Sequence, residues 1–382
     1  MFSFRTSDIF RQEDIYLRKG RIMVICNQSA WNPQTREYVF EGFFKRGNLA
    51  CVMTPPGDGL SDHPLSASVP FNSISKGSDG YMRFSEDDFA STDAVVIELQ
   101  DAGCRYFETP NLVYALFSFL SSRMADFPIY LIDRPNPGGR QVEGTALRAG
   151  YRSHKGIEGI PHRYGMTIGE LAYYIYGRLN AKFPLHIISC KASPVGKLVM
   201  SWTVPLSEDF GNFFTHAFYS GQFLWKGSNV TPGEGTVRPY ELFGAPFMEG
   251  VKLDEHPLFH DDGVFARWAS FTPMGGRYNR ETCFGYQLLL TPESQYNSLA
   301  HSLRLIRCAK DLVPAFRFLE KEPTRDKSLI QMLVGDKELL DFIEGGSSWA
   351  ETKEHIKVEE QKWIKKTRKD LLYEDEPLFR IK

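Results

Sequence analysis

The sequence carries no excess of either charge, since 45 Lys and Arg stand against 47 Asp and Glu, a net charge of −2. This balance argues against a surface that binds nucleic acid or anionic membranes. No apolar run approaches the roughly 18–20 residues of a membrane span, and the N-terminus lacks the basic start and apolar stretch of a signal peptide. As it stands, the sequence predicts a cytoplasmic protein, or a periplasmic or secreted one if a signal peptide has been removed.

Motifs that hold nucleotides and metals are missing as well. No G-x-G-x-x-G follows a predicted strand, and no G-x-x-x-x-G-K-[ST] occurs. The 6 cysteines are scattered without a C-x-x-C pair, which predicts buried free thiols rather than a disulfide framework. There is no H-E-x-x-H, and the 9 histidines do not cluster at metal-ligand spacing. We therefore expect no cofactor and no metal.

The first half of the chain alternates short apolar runs with helix-like patterns. Strands are predicted at 21–26, 49–53, 93–101, 128–135 and 185–190, and helices at 35–47, 111–125 and 167–181. The last of these helices begins with a capping box formed by Thr167 and Glu170. The alternation predicts an α/β fold with a mostly parallel sheet. In such sheets a ligand binds beyond the carboxyl ends of the strands.

The second half, from about residue 215, is richer in turns and then ends in helices. These helices are predicted at 294–312, 332–346 and 349–373. The last one places four apolar residues at near-heptad spacing, namely Ile356, Trp363, Ile364 and Leu371. Such a helix docks on the body of the protein or, alternatively, binds a partner. A chain of 382 residues favours two domains, which we place at 1–214 and 215–382.

Polar motifs directly follow the predicted strands, at the edge where a ligand is expected. The stretch ELQDAGCRYFE (98–108) places Gln100 and Asp101 at a strand end and Arg105 one turn further on. A carboxylate and a guanidinium this close can form a bidentate pair that orients both groups. A strand-end cap with a surface salt bridge would leave the same pattern, so a functional and a structural interpretation both stay open.

Two later stretches carry further candidates. The stretch LIDRPNPGGRQVEGTAL (131–147) has Asp133 and Arg134 at a strand end, then a rigid turn of prolines and glycines, and Glu143 beyond it. A structural crossover between elements is the alternative here. The stretch WKGSNVTPGEGTVRPYELFGAP (225–246) is denser still. It places four polar residues among its glycines and prolines, namely Asn229, Glu234, Arg238 and Glu241.

These stretches together resemble the exo-β-N-acetylmuramidases of the NamZ type, also known as YbbC-like proteins. The family pattern D-x-Q-D-x-G-x-R-[FY] is matched by ELQDAGCRY, L-D-R-P-N-P-x-G-G by IDRPNPGGR, and R-H-G-M-T-I-G-E by RYGMTIGEL. The longest pattern, G-T-N-x-S-E-G-R-G-T-T-R-P-F-E-x-x-G-A-P, is matched by GSNVTPGEGTVRPYELFGAP, and VEGTAL lies near the family's E-G-P. The matches follow the family's order and span residues 21 to about 247.

The resemblance implies a Rossmann-like N-terminal domain joined to a smaller α+β C-terminal domain, with the site in the cleft between them. It also implies a bacterial hydrolase of cell-wall turnover, which removes terminal N-acetylmuramic acid or a related amino sugar from peptidoglycan fragments without a cofactor. Its partner would be a small carbohydrate or peptidoglycan fragment, and the oligomeric state stays open.

The lactyl carboxylate of that sugar calls for an arginine. We expect Arg105, Arg134 or Arg238 to hold it, and Asn229 to bind a hydroxyl or the acetamido group. The full expected substrate-binding set is Asn27, Gln100, Arg105, Arg134, Asn136, Arg163, Asn229, Glu234, Arg238 and Glu241.

One loop departs from the family at the position of its leading candidate for a catalytic acid. Where family members have P-E-H-G-F, this chain has PGDGL (56–60), so that Gly57 replaces the glutamate and Asp58 the histidine. Tyr164 likewise replaces the histidine of R-H-G-M-T. Because glycoside hydrolysis normally needs two carboxyl groups, the loss of this glutamate has to be compensated if the protein is an enzyme.

The sequence thus supports two hypotheses. In the first, the protein is a glycosidase in which Asp58 is the replacement acid, while Asp101 or Asp133 orients the substrate or a water molecule. Glu143 is the remaining carboxyl candidate. In the second, the protein is a non-catalytic paralogue that binds muramyl sugars without cleaving them. The retained Asp and Arg motifs favour neither hypothesis, because binding and catalysis both need them.

Overall fold

The computed structural model describes residues 6–190, 204–212, 214–291, 296–321, 323 and 326–373. Its strands are β1 (Ile22–Cys26), β2 (Leu49–Thr54), β3 (Phe71–Ser73), β4 (Ser75–Lys76), β5 (Met82–Arg83), β6 (Ala94–Glu98), β7 (Ile129–Ile132), β8 (Val142–Glu143), β9 (Arg163–Tyr164), β10 (Leu185–Ile188), β11 (Leu242–Ala245), β12 (Val264–Phe271) and β13 (Cys283–Leu290). Its α-helices are α1 (Ile15–Lys19), α2 (Val39–Arg46), α3 (Glu108–Arg123), α4 (Ile168–Arg178), α5 (Thr215–Gln222), α6 (Ser298–Leu312), α7 (Leu329–Val334), α8 (Lys337–Glu344) and α9 (Trp349–Thr367).

A 6-stranded sheet forms the centre of the first half, in the order β10-β7-β6-β1-β2-β3. Every neighbouring pair is parallel. Counted along the chain, the order of these strands is that of a Rossmann fold, with the topological switch between β1 and β6. The predicted α/β class with a Rossmann-like parallel sheet is therefore confirmed, and the loops beyond the carboxyl ends of β1 and β6 mark the expected site.

Apolar clusters cover both faces of this sheet, because successive side chains of a strand point to opposite sides. In β1, Met23 and Ile25 join the cluster beneath α3 and α4, whereas Val24 joins the cluster beneath α2. The predicted capping box of α4 is present, and the Thr167 side chain accepts a hydrogen bond from the Glu170 backbone N–H. All six cysteines are buried free thiols, as predicted.

The C-terminal region is a smaller α+β unit, and its apolar cluster also includes Ala102, Cys104, Tyr106 and Phe107 of the first half. A 3-stranded antiparallel sheet, in the order β11-β13-β12, packs with α5 to α8 around a third apolar cluster. Leu206 and Phe210 belong to this cluster although they precede residue 215, and Trp363 of α9 reaches back to the cluster beneath the first sheet. Packing thus crosses the proposed boundary in both directions, and the division into 1–214 and 215–382 stays a prediction.

Two helical predictions need correction. The helix predicted at 332–346 is two helices, because Gly335 adopts a left-handed φ of 63° and Asp336 then caps the start of α8. In α9, Ile356 and Trp363 are buried as predicted, but Ile364 is 53% exposed and does not take part in docking. The first two residues of the predicted helix 294–312 lie outside the described residues.

None of the described helices is long and apolar enough to span a bilayer.

Candidate active site

The polar loops that follow the parallel strands converge at the topological switch. Asn27 follows β1 and Gln100 follows β6, and the two residues exchange hydrogen bonds. The Asn27 Nδ2 donates to the Gln100 carbonyl at 2.8 Å, and the Gln100 backbone N–H donates to Asn27 Oδ1 at 3.1 Å. Both side chains are almost fully buried. This pair therefore ties the ends of β1 and β6 together beneath the surface of the site.

Arg134, which follows β7, is saturated by partners inside the protein. Its guanidinium forms an ion pair with Glu98 at 2.8 Å and donates to Gln100 Oε1 at 3.0 Å. It also donates to the backbone carbonyls of Ser29 and Ala30 at 3.1 and 3.2 Å. At 2% exposure it presents no free edge to a ligand. The expectation that Arg134 binds a substrate carboxylate has no support in this geometry.

Asp101 is a buried carboxyl group with one oxygen engaged. Its Oδ2 accepts a hydrogen bond from the Gly103 backbone N–H at 2.7 Å and another from the Tyr164 hydroxyl. Its Oδ1 has no partner among the described residues. Burial raises the pKa of Asp101 to about 7, although the backbone donors oppose this shift. Tyr164, which replaces the family's histidine, thus supports Asp101 from the interior.

Asp133 fastens the start of α4 to the sheet. Its carboxylate accepts from Thr167 Oγ1 at 2.6 Å, from the Gly169 N–H at 2.7 Å and from the Tyr373 hydroxyl at 2.7 Å. Burial raises the pKa of Asp133 to about 6, and these donors oppose the shift. A Cβ atom at Gly169 would lie 2.5 Å from Asp133 Cγ, so this close approach requires glycine. Asp133 is therefore placed to hold the framework rather than to contact a ligand.

Glu143 and Arg163 form a buried ion pair at 2.9 Å within the first half of the chain, where that half meets α5 and α6. Glu143 Oε2 also accepts from Ser220 Oγ at 2.5 Å and from the Leu299 N–H at 3.1 Å. Arg163 also donates to the His216 carbonyl at 2.7 Å. Both residues are at most 4% exposed. Their contacts connect β8 and β9 to α5 and α6.

Arg105 and Asn136 are likewise engaged with backbone. Arg105, at 1% exposure, donates to the carbonyls of Leu333 at 2.6 Å and Thr145 at 3.1 Å. Asn136 Nδ2 donates to the Met166 carbonyl at 2.8 Å. The structure thus brings most of the predicted site residues together as a buried framework.

Residues of the dense C-terminal motif are split between framework and surface. Asn229 is buried, and its Nδ2 donates to the Ala315 carbonyl at 2.8 Å. Glu241 is also buried, and it accepts from Asn212 at 2.7 Å and from Arg238 at 3.2 Å. The Arg238 side chain is 45% exposed. Of the three arginines expected to hold a carboxylate, Arg238 is the accessible one.

The loop after β2 presents Asp58 at the surface of the site. Asp58 is half-buried, and its carboxylate accepts from the backbone N–H groups of Gln28 at 3.0 Å and Leu60 at 3.1 Å. Burial raises the pKa of Asp58, and the two backbone donors oppose this shift. Gly57 beside it has a φ of 81° and no atom within 4 Å of an added Cβ. The position of the family's glutamate is therefore an open, exposed turn.

Sequence reasoning missed the carboxyl group that lies close to Asp58. Glu108, at the start of α3, is half-buried, and burial raises its pKa. The charge of Lys155 opposes this shift, and that of Asp58 adds to it. Glu108 is the last letter of the stretch ELQDAGCRYFE, so the motif contained it. Asp58 and Glu108 come from different strand ends, however, and only the fold shows that the charge of one acts on the other.

Two lysines continue this group of charges toward the C-terminal region. The Nζ atoms of Lys155 and Lys226 lie 6.0 and 5.2 Å from the centre of the Phe223 ring. Lys226 also donates to Glu234 at 2.5 Å. Burial and the charge of Lys226 lower the pKa of Lys155. We name this set the cleft cluster, and its members are Asp58, Glu108, Lys155, Lys226 and Glu234.

One group of side chains in the described part of the chain has ligand atoms close enough to hold a metal ion, and it shares no residue with the cleft cluster. It consists of Asp336, Glu338 and His355. Asp336 already caps α8 and forms an ion pair with Arg148 at 2.9 Å. These contacts account for the group without an ion.

The fold and the cleft cluster define a two-part α/β protein with paired carboxyl groups at the carboxyl edge of a Rossmann-like sheet. The N-terminal family model of exo-β-N-acetylmuramidase NamZ matches residues 70–203, and the C-terminal model matches residues 217–373. The chain therefore belongs to the NamZ family, as its motifs predicted.

Individual relatives agree with this placement. The peptidoglycan β-N-acetylmuramidase NamZ of Bacillus subtilis (strain 168) is 28% identical over 291 residues, which is 74% of this chain and 68% of the relative. Two DUF1343 family proteins from Bacteroides fragilis NCTC 9343 share the fold. One has a TM-score of 0.77 at 23% identity and covers 97% of this chain and 98% of its own. The other has a TM-score of 0.79 at 19% identity, and the match covers 96% of this chain and 97% of the other. These comparisons give no support to a non-catalytic paralogue.

Proposed function

We propose that the protein is a glycoside hydrolase that releases terminal N-acetylmuramic acid, or a related amino sugar, from peptidoglycan fragments. The observation that carries the proposal is that two half-buried carboxyl groups, Asp58 and Glu108, follow β2 and β6 at the carboxyl edge of the sheet, and that the charge of Asp58 acts on Glu108. The Bacillus subtilis relative is named a peptidoglycan β-N-acetylmuramidase, and this supports the choice of sugar. Glycosidases use two such carboxyl groups on either side of the scissile bond.

The surroundings of the two groups suggest different roles. Asp58 accepts two backbone N–H bonds, which stabilise its ionised form. Burial favours the protonated form of Glu108, and no hydrogen bond from the described residues stabilises its carboxylate. The charge of Lys155 opposes this shift, and that of Asp58 adds to it. We therefore assign Glu108 as the general acid that protonates the glycosidic oxygen. Asp58 is then the carboxylate that acts on the sugar carbon or activates a water, not the acid that the sequence suggested.

The remaining predicted residues take supporting roles in this proposal. Arg238, whose side chain is 45% exposed although its guanidinium also pairs with Glu241, would hold the lactyl carboxylate. The buried Asn27, Gln100 and Arg134 hold the strand ends that carry the site. Residues 1–214 would then supply both carboxyl groups, and residues 215–382 would close the cleft and supply Arg238.

Two substrates with different leaving groups test the proposed roles. A nitrophenyl N-acetylmuramide has a leaving group that departs without protonation, whereas the sugar alcohol of muramyl disaccharide requires an acid. Glu108→Gln should lower kcat on the disaccharide about 10²–10⁴-fold and much less on the nitrophenyl substrate. Asp58→Asn should lower kcat on both substrates to a similar extent. Asp62→Asn, in the same loop but exposed, is the matched control and should change neither.

Three outcomes would count against the assignment. Unchanged rates in both variants would show that the carboxyl pair takes no part in catalysis. Equal losses of Glu108→Gln on the two substrates would remove its role as acid. Calorimetric binding of muramyl disaccharide by the parent protein, without release of product at any pH from 4 to 9, would establish the non-catalytic paralogue instead.

A further inference from the structure

A cavity opens beside the cleft cluster, between α3, the β4–β5 hairpin and residues 152–157. Its volume is about 620 Å³, within the range of ligand-binding sites. Cationic and aromatic side chains dominate its wall, including Lys76, Tyr81, Arg83, Tyr114, Arg152 and Lys155. A wall of this composition suits a ligand with sugar rings and negative charge.

The cavity is continuous with the proposed site of bond cleavage. Glu108 and Lys155 line the cavity, and both also belong to the cleft cluster. On the proposed function, Glu108 protonates the oxygen of the leaving group. The part of the substrate that leaves must therefore start at Glu108, and the cavity is the space that begins there.

Arg152 is the side chain in this cavity that is best prepared for an anion. Its guanidinium lies 4.9 Å from the centre of the Tyr114 ring and 5.6 Å from that of Tyr81. Within the described ranges no carboxylate pairs with Arg152, whereas Arg83 in the same wall pairs with Asp79 at 2.6 Å. A guanidinium stacked on aromatic rings keeps its N–H edge available for a carboxylate.

The shape of the cavity is set by close packing at the hairpin. Gly80, at the turn between β4 and β5, has a φ of 83°, and a Cβ atom there would lie 2.7 Å from His154. The hairpin therefore rests directly on the segment that carries Arg152 and Lys155. Lys76 on β4 and Lys155 also feel each other's charge. Close packing thus fixes the wall of the cavity. The Lys and Arg side chains in this wall outnumber its carboxylates.

We propose that this cavity binds the leaving part of the substrate, beyond the scissile bond, and selects fragments that carry a carboxylate there. The inference rests on the proposed function, because the cavity is read as the continuation of the cleavage site. The carboxylate has two sources in peptidoglycan, namely the lactyl group of the next muramic acid or the stem peptide attached to it. Arg152 recognises the shared chemistry.

The test compares substrates with and without that carboxylate. One substrate is a nitrophenyl N-acetylmuramide. The other three are trisaccharides with a muramic acid at each end, and they differ only at the lactyl group of the muramic acid in the leaving part. This group is free in the first, amidated in the second and attached to a stem peptide in the third. Arg152→Gln should raise KM for the carboxylate-bearing trisaccharide at least 10-fold more than for the nitrophenyl substrate, as expected for loss of a charge-assisted pair. Arg123→Gln, at the exposed far end of α3, is the matched control and should change neither.

The outcomes separate this inference from the proposed function. A preference for the free lactyl or the peptidyl trisaccharide identifies the source of the carboxylate. Equal effects of Arg152→Gln on all substrates, or equal KM for the free and amidated trisaccharides, would overturn the inference while hydrolysis stands. If no substrate is cleaved, calorimetric titration of the same trisaccharides into parent and Arg152→Gln protein decides the question. Equal affinities would then overturn the inference.

Discussion

Asp101 should make the protein less stable as the pH rises, and its replacement by Asn should remove this effect. Its pKa in the fold is about 7 because of burial, against an ordinary value of 3.8. Between these values the unfolded chain has released the proton while the folded protein retains it. Stability therefore falls as the pH rises through this window, and the loss is complete above pH 7.

The magnitude follows from the two pKa values. The difference between 3.8 and about 7 is about 3 pKa units, which corresponds to about 4 kcal/mol. The Tyr164 hydroxyl donates to the ionised form, so about 4 kcal/mol is an upper bound. Other buried carboxyl groups with raised pKa values, such as Asp133 and Glu360, titrate in parent and variant alike and cancel in the comparison.

Urea denaturation of the parent and Asp101→Asn at pH 4, 5, 6, 7 and 8 measures the effect. The free energy of unfolding of the variant, relative to the parent, should rise by up to about 4 kcal/mol from the lowest to the highest pH. Asp126→Asn, exposed in the loop after α3, controls for the loss of one negative charge. A difference between Asp101→Asn and the parent that stays constant over this range would refute the reasoning.

Two further predictions concern the framework and the divergent loop. Arg134→Met leaves Glu98 buried without its partner and should lower the free energy of unfolding by about 3–5 kcal/mol in urea. The double variant with Glu98→Gln should recover part of the loss, and no recovery would contradict the ion-pair argument. Gly57→Glu returns an acidic residue to the family's position, but at a φ of 81° a side chain costs about 1–2 kcal/mol. Gly57→Ala should show the same loss in thermal unfolding, because an added Cβ meets no other atom, and a neutral effect of either variant would refute the strain.

The centre of the parallel sheet could be predicted from the sequence because its strands are short runs made mostly of apolar residues. β1 and β6 are buried along their whole length, so their composition alone distinguishes them. The resemblance implied an α+β C-terminal domain, but the positions of its strands were not predicted, for the opposite reason. β12 alternates only loosely between buried and exposed positions, and its exposed Phe265 and Trp268 obscure the pattern.

The site was predictable in place but not in detail. Polar motifs after parallel strands do converge at the switch point, as the rule for such sheets requires. A sequence motif of Asp and Arg looks the same, however, whether its side chains face a ligand or one another. Arg134 and Asp133 face the interior, which depends on the packing of distant elements. Glu108 becomes a candidate only because, in the fold, it is half-buried and the charge of Asp58 acts on it.

The hydrogen bond between Tyr373 and Asp133 has a consequence for biosynthesis, because its two ends are 240 positions apart. At about 5–20 residues per second, a ribosome needs about 12–48 s to cover that distance. During this interval the Asp133 carboxyl lacks the hydrogen bond from Tyr373. The contacts of β8 and β9 with α5 and α6 also form only after those helices have been synthesised. The N-terminal half is therefore synthesised well before all of its stabilising contacts can form, and Tyr373 supplies one of the last of them.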